Sequence, residues 1–580
     1  MSDIAPPLRA TLLRQFFACV AALFAALALV GACRNYSPVP FWDMWGPYLH
    51  MLDMAGSGDW HVWWAQHNEH RIVLARMFFW ADLRWFDGAG WFLIAVNCTL
   101  VALGGLLFWH ILDEVEAAPG RAADKHALAW FVVGALFFWS QEENLTWGFQ
   151  SQFILAQLVP LAALYALHRS IQGGRRMFAL ACLLGILSAG TMANGVLALP
   201  LMTAYALLMR QGGRRAGVLA LLAMLVLFAY FHDYSTPPGH NSPLQSLREH
   251  PLKFAGYVLN YLGSPFYFAF GGKGLGRLAA ILAGLFLIAS AIRFALRFLY
   301  QPRQFALPLA LLFFIAYIAG TAFGTAGGRL NFGLGQALSQ RYTTPALMAW
   351  AALAVLYAPA MLALQERQRR RAWAAFIALA LLMLVYQVQA LHSNADELFG
   401  RSVAALAVEL RVRDQVEIGR VAPNTDVIDS SATAADKQRS VFGLYPYRGA
   451  RADMGRAFAP MALPPCRGAL ELAEAIDGDE RFLRVHGWLY EPAGKTVPQV
   501  VRILDAGGRQ AGYALGGWAW DDAAAALHKV ARQSGYRGYL SSGQAGDLTL
   551  RGEGPAGPVC ELHLRMPAAR PNKITEVEKK

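Results

Sequence analysis

Between Phe16 and Leu391 the chain repeats one pattern eleven times, an apolar run followed by a polar connection. The runs lie near 16–32, 91–111, 127–140, 153–168, 178–190, 194–209, 216–231, 278–298, 305–324, 344–364 and 372–391. A helix of about 20 apolar residues matches the hydrocarbon thickness of a bilayer, and several runs approach that length. Hydrophobic residues make up 56% of the 580 and charged residues 16%, too apolar a balance for a soluble fold of this size. The bilayer is therefore the expected solvent for residues 1–391. The net charge of +12 does not point to nucleic acid, because the basic residues fall in short clusters between apolar runs.

Those clusters also give an orientation, since Lys and Arg resist translocation. Arg121 and Lys125, Arg169 with Arg175 and Arg176, Arg210 with Arg214 and Arg215, Arg293 with Arg297 and Arg303, and Arg367 with Arg369–Arg371 occupy alternate connections. The intervening stretches 141–152 and 189–195 contain no Lys or Arg. The alternation predicts about eleven transmembrane helices with a cytoplasmic N-terminus. Residues 35–90, 232–277, 326–343 and everything after about 392 then lie outside. The first run follows Arg9 and Arg14 as a signal peptide would, but it is long for a signal core and reads as an uncleaved span. The aromatic stretch 252–270 does not fit the alternation as a crossing and reads as an interfacial or re-entrant helix.

After Leu391 the hydropathy falls. Residues 392–465 read as a connecting region, 466–565 as a β-sandwich from their alternating stretches and Gly-containing turns, and 566–580 as a disordered tail. Cys466 and Cys560 bracket the β-module. In an oxidising compartment they are expected to form a disulfide between its first and last strands, and in the cytoplasm they would be two unrelated thiols. Cys19, Cys33, Cys98 and Cys182 lie in or beside apolar runs without metal-ligand spacing and read as packing residues.

Ionisable residues held near membrane depth mark function in membrane proteins, and here they collect in the connections predicted to face outward. Asp43 lies in Phe41-Trp-Asp-Met-Trp45 between Pro40 and Pro47, where it reads either as a catalytic carboxylate shielded by tryptophans or as the cap of a helix starting at Met44. His67-Asn-Glu-His-Arg71 lacks the His-Glu-x-x-His spacing and a clear third ligand, so rather than a zinc site it reads either as Glu69 and Arg71 orienting a substrate or a neighbouring loop, or as a solvated helix start. Glu142 and Glu143 read either as a carboxylate pair that suits a divalent cation, the one cofactor the sequence suggests, or an acceptor hydroxyl, or as the solvated end of a helix. Arg329 and Arg341 read either as guanidinium forks for a phosphate or as partners of lipid headgroups or of the acidic connections, with Asn194 in a neighbouring outward connection.

With Asp43 in the first outward connection and Ser339-Gln-Arg-Tyr-Thr-Thr-Pro345 leading into a late span, residues 1–391 resemble the GT-C superfamily of polyprenyl-phosphate-sugar-dependent glycosyltransferases. Val485-His-Gly-Trp-Leu489 and Gly535-Tyr-Arg-Gly-Tyr539 are similar to the small extracytoplasmic β-domains attached to some bacterial members. The resemblance implies transfer of a sugar from a lipid-phosphate carrier to a glycan, lipid or protein on the periplasmic face of a bacterial inner membrane. It makes Asp43 the catalytic acidic residue. Many members carry two adjacent acidic residues there, so Glu69, Glu142 or Glu143 is a candidate for the second carboxylate. Arg341 and Tyr342, with Arg329, Lys273 and Arg71, become candidates for the donor phosphate, and Trp42, Trp45, His67, His70, Asn144 and Gln150 for the acceptor. A lipid-linked glycan flippase would instead carry charges within its spans and repeated halves. An O-antigen-type polymerase or ligase would place its large loop between late spans, whereas here the longest connection follows the first.

Overall fold

The computed structural model describes residues 5–117, 119–236 and 242–570. The chain divides into two compact units, one of residues 1–36, 58–78 and 92–393, the other of 37–57, 79–91 and 394–580. Among the described residues, eight helices are long and apolar enough to cross a membrane. The long helices up to residue 391 are α1 (Ala5–Arg34), α2 (Val73–Trp85, shared by both units), α3 (Trp91–Asp113), α4 (Ala122–Leu136), α5 (Ser151–Ala189) and α6 (Ala198–Leu208). They continue as α7 (Gly213–Phe231), α8 (Pro251–Ala269), α9 (Gly274–Tyr300), α10 (Ala306–Arg329), α11 (Thr343–Leu362) and α12 (Glu366–Gln387).

A straight helix of 39 residues would run about 58 Å, twice a hydrocarbon core. α5 avoids this because Gly174 adopts φ 66°, ψ −145° and breaks it into two arms, 151–172 and 175–189. These are the two short spans predicted separately at 153–168 and 178–190.

The stretch read as interfacial or re-entrant is α8, which runs antiparallel to α9 at backbone contact. A Cβ on Gly263 would lie 1.8 Å from the Ala280 carbonyl oxygen, one on Gly284 2.4 Å from that of Leu259, and one on Gly276 2.5 Å from that of Tyr267. Gly276, Ala280 and Gly284 recur every fourth residue, so one face of α9 is a small-residue stripe of the kind that lets membrane helices pack closely. Gly263→Val is expected to lower unfolding stability in detergent by about 3 kcal/mol, because neither backbone can yield. Gly256→Ala on the same helix, where a Cβ would come no nearer than 4.0 Å to Leu334, should leave the unfolding midpoint unchanged.

In the second unit, 392–465 is compact rather than a plain linker. It contains α13 (Ala395–Leu410), capped by the Asn394 side chain, and α14 (Val427–Asp436). Much of the first outward connection belongs here too. The Trp42 amide and the Trp45 indole both donate to the Val421 carbonyl, Asp53 pairs with Lys437 and Arg439, and the Ser440 hydroxyl bonds to the Gly88 carbonyl. The domain boundary predicted at 391/392 therefore misses segments 37–57 and 79–91, whose docking is a long-range contact that local composition does not register.

The C-terminal module is one antiparallel sheet of seven strands, not two packed sheets. Its strands are β1 (Arg467–Ile476), β2 (Asp479–Tyr490), β3 (Val500–Leu504), β4 (Gln510–Trp518), β5 (Gly535–Ser541), β6 (Asp547–Gly554) and β7 (Gly557–Arg565), in the order β1-β2-β5-β4-β3-β6-β7. Leu483, Val485 and Leu489 alternate inward on β2 while Arg484, His486 and Trp488 face out, as a half-buried strand requires. That alternation fixes one inward face but not what covers it. Here the sheet covers itself by curling into a half-barrel. Gly487, Gly512 and Gly538 allow the bend, since a Cβ on each would meet a neighbouring strand's carbonyl oxygen at 2.0–2.6 Å. The edges meet where the Cys466 amide donates to the Glu561 carbonyl (2.8 Å) and the Glu561 amide to that of Pro464 (3.0 Å), beside the Cys466–Cys560 disulfide. Residues 566–570, expected in the tail, are tied down, because Met566 bonds to Gly546 and Arg570 to Ala473 and Ala475. The remainder of that expected tail, 571–580, lies outside the described residues, as do Met1–Ile4 of the predicted cytoplasmic N-terminus.

Candidate functional site

Contacts within the first unit sort its connections into two groups. Glu69 with Arg329, His70 with Ala193, Asn194 with Thr321, Glu143 with Arg341 and Arg71 with Tyr230 and His232 hold one group together. Glu114 with Arg169 and His168, Arg215 with Ser170, Lys125 with Asp113 and Arg369 with Asp124 hold the other. These are the sets that the Lys/Arg alternation separates in the sequence.

His67-Asn-Glu-His70 forms a tight turn, with the His67 and His70 backbones exchanging two hydrogen bonds of 2.8 Å and Asn68 at φ 48°. The turn presents Glu69. Its Oε1 accepts from Arg329 Nη2 at 2.8 Å and lies 3.5 Å from His70 Nε2, while His70 Nδ1 accepts from the Ala193 amide at 3.2 Å. Burial pushes the Glu69 carboxyl up, but the neighbouring His70 and Arg329 outweigh it and hold the group down at about 2.

Glu69, His70, Arg329 and Tyr342 line a cavity of about 760 Å³, large enough for a sugar with its phosphate. Asn194, Gln157, Tyr261 and Thr321 line it as well. Tyr257, one turn before Tyr261, lies within electrostatic reach of Arg329, Arg341 and Tyr342. Among the described residues, the buried Tyr257 hydroxyl, Arg341 Nε and both amide atoms of Gln150 have no protein hydrogen-bond partner. Tyr257, Arg341 and Gln150 themselves do not line this cavity. A second cavity of about 610 Å³ is apolar and aromatic, lined by Pro265, Phe266, Phe286, Leu347 and Trp350 among others. α8 walls both, with Tyr261 on the polar chamber and Pro265 one turn further on the apolar one.

Other candidates have structural partners. Arg71 donates to the carbonyls of Trp64, Tyr230 and His232 at 2.6–2.8 Å and stacks on the Trp64 and Tyr230 rings. Arg76, overlooked in the sequence, does likewise for Trp63 and Ala65. Glu143 accepts from Ser339 Oγ (3.1 Å) and the Arg341 amide (2.9 Å), and Glu142 from Gln340 (3.1 Å). Asn144 donates to the Arg341 carbonyl and Thr344 Oγ1. The Gln141–Asn144 run thus brackets the turn that carries Arg341 and Tyr342. His67 stacks edge-on against Phe149 at 5.2 Å. Lys273 is exposed in the α8–α9 turn and lines neither cavity. Trp42, Asp43 and Trp45 belong to the second unit, with Trp45 buried beside Phe442 and Trp42 exposed. Among the described residues, no three His, Cys, Asp or Glu side chains group as a metal site. Tyr257 and Gln157 carry no motif and sit in apolar runs, which is why sequence reading passes over them.

The fold and the cavities together define a polytopic helical membrane protein with a polar chamber in its transmembrane unit. No family model, curated protein or solved structure matches the chain.

Proposed function

We propose that the chain is a membrane glycosyltransferase of the GT-C kind, which moves a sugar from a polyprenyl-phosphate carrier to a glycan, lipid or protein hydroxyl. The observation that carries this reading is the pairing of a chamber holding Glu69 and Arg329 with an apolar cavity one helical turn along α8. A charged phosphate on an isoprenoid tail has that same division of polarity. Among the described residues, eight helices are long and apolar enough to cross, and reading α5 as two crossings and the shorter α4 and α6 as one each makes eleven. We read the charge alternation as facing the Glu69 connections and residues after 392 outward, which in the bacterial inner membrane that the resemblance implies is the periplasmic side.

In the reaction, the acceptor oxygen attacks the anomeric carbon and gives its proton to a Glu69 carboxylate oxygen. The bond from that carbon to the phosphate oxygen breaks with its electron pair, and polyprenyl phosphate leaves with its charge against Arg329. Arg329 pairs with Glu69 in the resting protein. A donor phosphate that draws the guanidinium away leaves Glu69 buried with a weaker counter-charge, which raises its basicity when it is needed. Glu69 is assigned as base ahead of Asp43 because it shares a chamber with an arginine.

Binding tests the reading. Undecaprenyl phosphate added to the purified protein in detergent should be retained in native mass spectra, and undecaprenol should not. Arg329→Ala should weaken retention by roughly 10- to 100-fold, the range for a charge-assisted hydrogen bond. Equal retention of the phosphate and the alcohol would count against a lipid-phosphate donor and favour a transporter.

A further inference from the structure

The second group of connections holds a cavity of its own, about 500 Å³, between the ends of α1, α4 and α12. Its polar lining is four arginines, Arg9, Arg121, Arg369 and Arg370, with two carboxylates, Asp124 and Glu366. Asp124 and Arg369 are buried. Asp124 accepts from the Trp373 indole at 3.1 Å and lies 3.4 Å from Arg369 Nε and 3.7 Å from Arg121 Nη1. Glu366 accepts from Arg370 Nε at 2.8 Å, from Arg9 Nη1 at 3.4 Å and from Arg369. Four guanidiniums against two carboxylates leave two positive charges uncompensated. Arg9 and Arg370 are more than half exposed, so most of their N–H donors remain available. α4 and α12 both begin here, at Ala122 and Glu366, and add the positive ends of two helix dipoles.

The same cavity has an apolar wall of Leu13 and Phe16 from α1 and Trp373 and Ile377 from α12. A soluble anion has no use for that wall, and an acyl chain alone has no use for four arginines. We propose that this cavity binds the headgroup of an anionic phospholipid, its phosphates against Arg9, Arg121 and Arg370 and its acyl chains along α1 and α12. The two uncompensated charges favour a headgroup with two phosphodiesters, as in cardiolipin, over one with a single phosphate. The site is separate from the Glu69 chamber and does not depend on the glycosyltransferase reading.

The experiment is lipid retention by the purified full-length protein in native mass spectra, with tetraoleoyl cardiolipin, dioleoylphosphatidylglycerol and dioleoylphosphatidylcholine as probes. Arg9→Gln with Arg370→Gln leaves the buried Asp124–Arg369–Trp373 contacts untouched. It should weaken cardiolipin retention by roughly thirtyfold, at about a factor of five for each basic residue. Arg121→Gln alone should weaken it by about fivefold, which keeps the test sharp if the double variant is unstable. Inorganic pyrophosphate in millimolar excess should not displace the lipid. Cardiolipin retained no better than phosphatidylcholine, or retained equally by the variants, would overturn the proposal. Displacement by pyrophosphate would overturn it too, in favour of a soluble polyanion.

Discussion

Glu69→Gln is expected to lower sugar transfer by a factor of roughly 10² to 10⁴, the usual loss when a general base is removed. Glutamine keeps the size of the side chain and an oxygen that can accept from Arg329, so the His67–His70 turn should survive. The measurement is release of undecaprenyl phosphate from a panel of undecaprenyl-phosphate-linked pentoses and hexoses, with the unfolding midpoint as a check on folding. Glu69→Asp keeps the charge and should recover part of the activity, which a merely structural role would not require. The pH dependence follows from the ion pair. The Glu69 carboxyl sits at about 2 in the folded protein against 4.5 ordinarily, so its contribution to stability is present above 4.5 and lost as pH falls towards 2. The free enzyme should therefore show no acid limb from Glu69 between about pH 4 and 8 in kcat/KM. Near-normal transfer by Glu69→Gln with loss in Asp43→Asn or Glu142→Gln would move the base and keep the class. Normal transfer in all three would remove the glycosyltransferase reading.

Asp43 and Glu69 also measure how far a sequence can be read. Apolar length and the alternation of basic connections are local properties, and they are enough to separate the two groups of connections, whereas the chamber that Glu69, Arg329 and Tyr342 share appears only in the fold. What local pattern cannot carry is the partner of a polar group. Glu142 and Glu143 look like a catalytic pair until the Ser339, Gln340 and Arg341 donors they face are known. Arg71 looks like a phosphate ligand until three carbonyls are found on its guanidinium. Asp43 looks like part of the membrane domain until Trp42 and Trp45 are found against Val421, almost four hundred residues on. In each case the deciding contact is made across the chain. The single sheet has the same cause, because inward alternation is common to a sandwich and a half-barrel, and Gly487, Gly512 and Gly538, which allow the curl, lie within the strands without disturbing that alternation.

Cys466→Ala with Cys560→Ala is expected to destabilise the second unit by about 4–5 kcal/mol. The two residues are 94 apart in sequence, and a cross-link across a loop of that length removes about this much chain entropy from the unfolded state. The placement of the bridge adds to the argument. Every other neighbouring pair of strands is held by a ladder, whereas β1 and β7 meet through the two backbone hydrogen bonds at Pro464, Cys466 and Glu561 and those of Arg570. Without the bridge the half-barrel should open first along this seam. Hydrogen exchange on the full-length protein should then rise in β1 and β7 well before it rises in β3 and β5, and reductant should produce the same pattern in the unaltered chain. The free thiols Cys19, Cys33, Cys98 and Cys182 provide the control, since replacing all four with Ser should leave exchange in the sheet unchanged. Unchanged protection of β1 and β7 after loss of both cysteines would mean that the curl is held by its inward face, Leu470, Val485, Ile503 and Leu550, with the disulfide only following it.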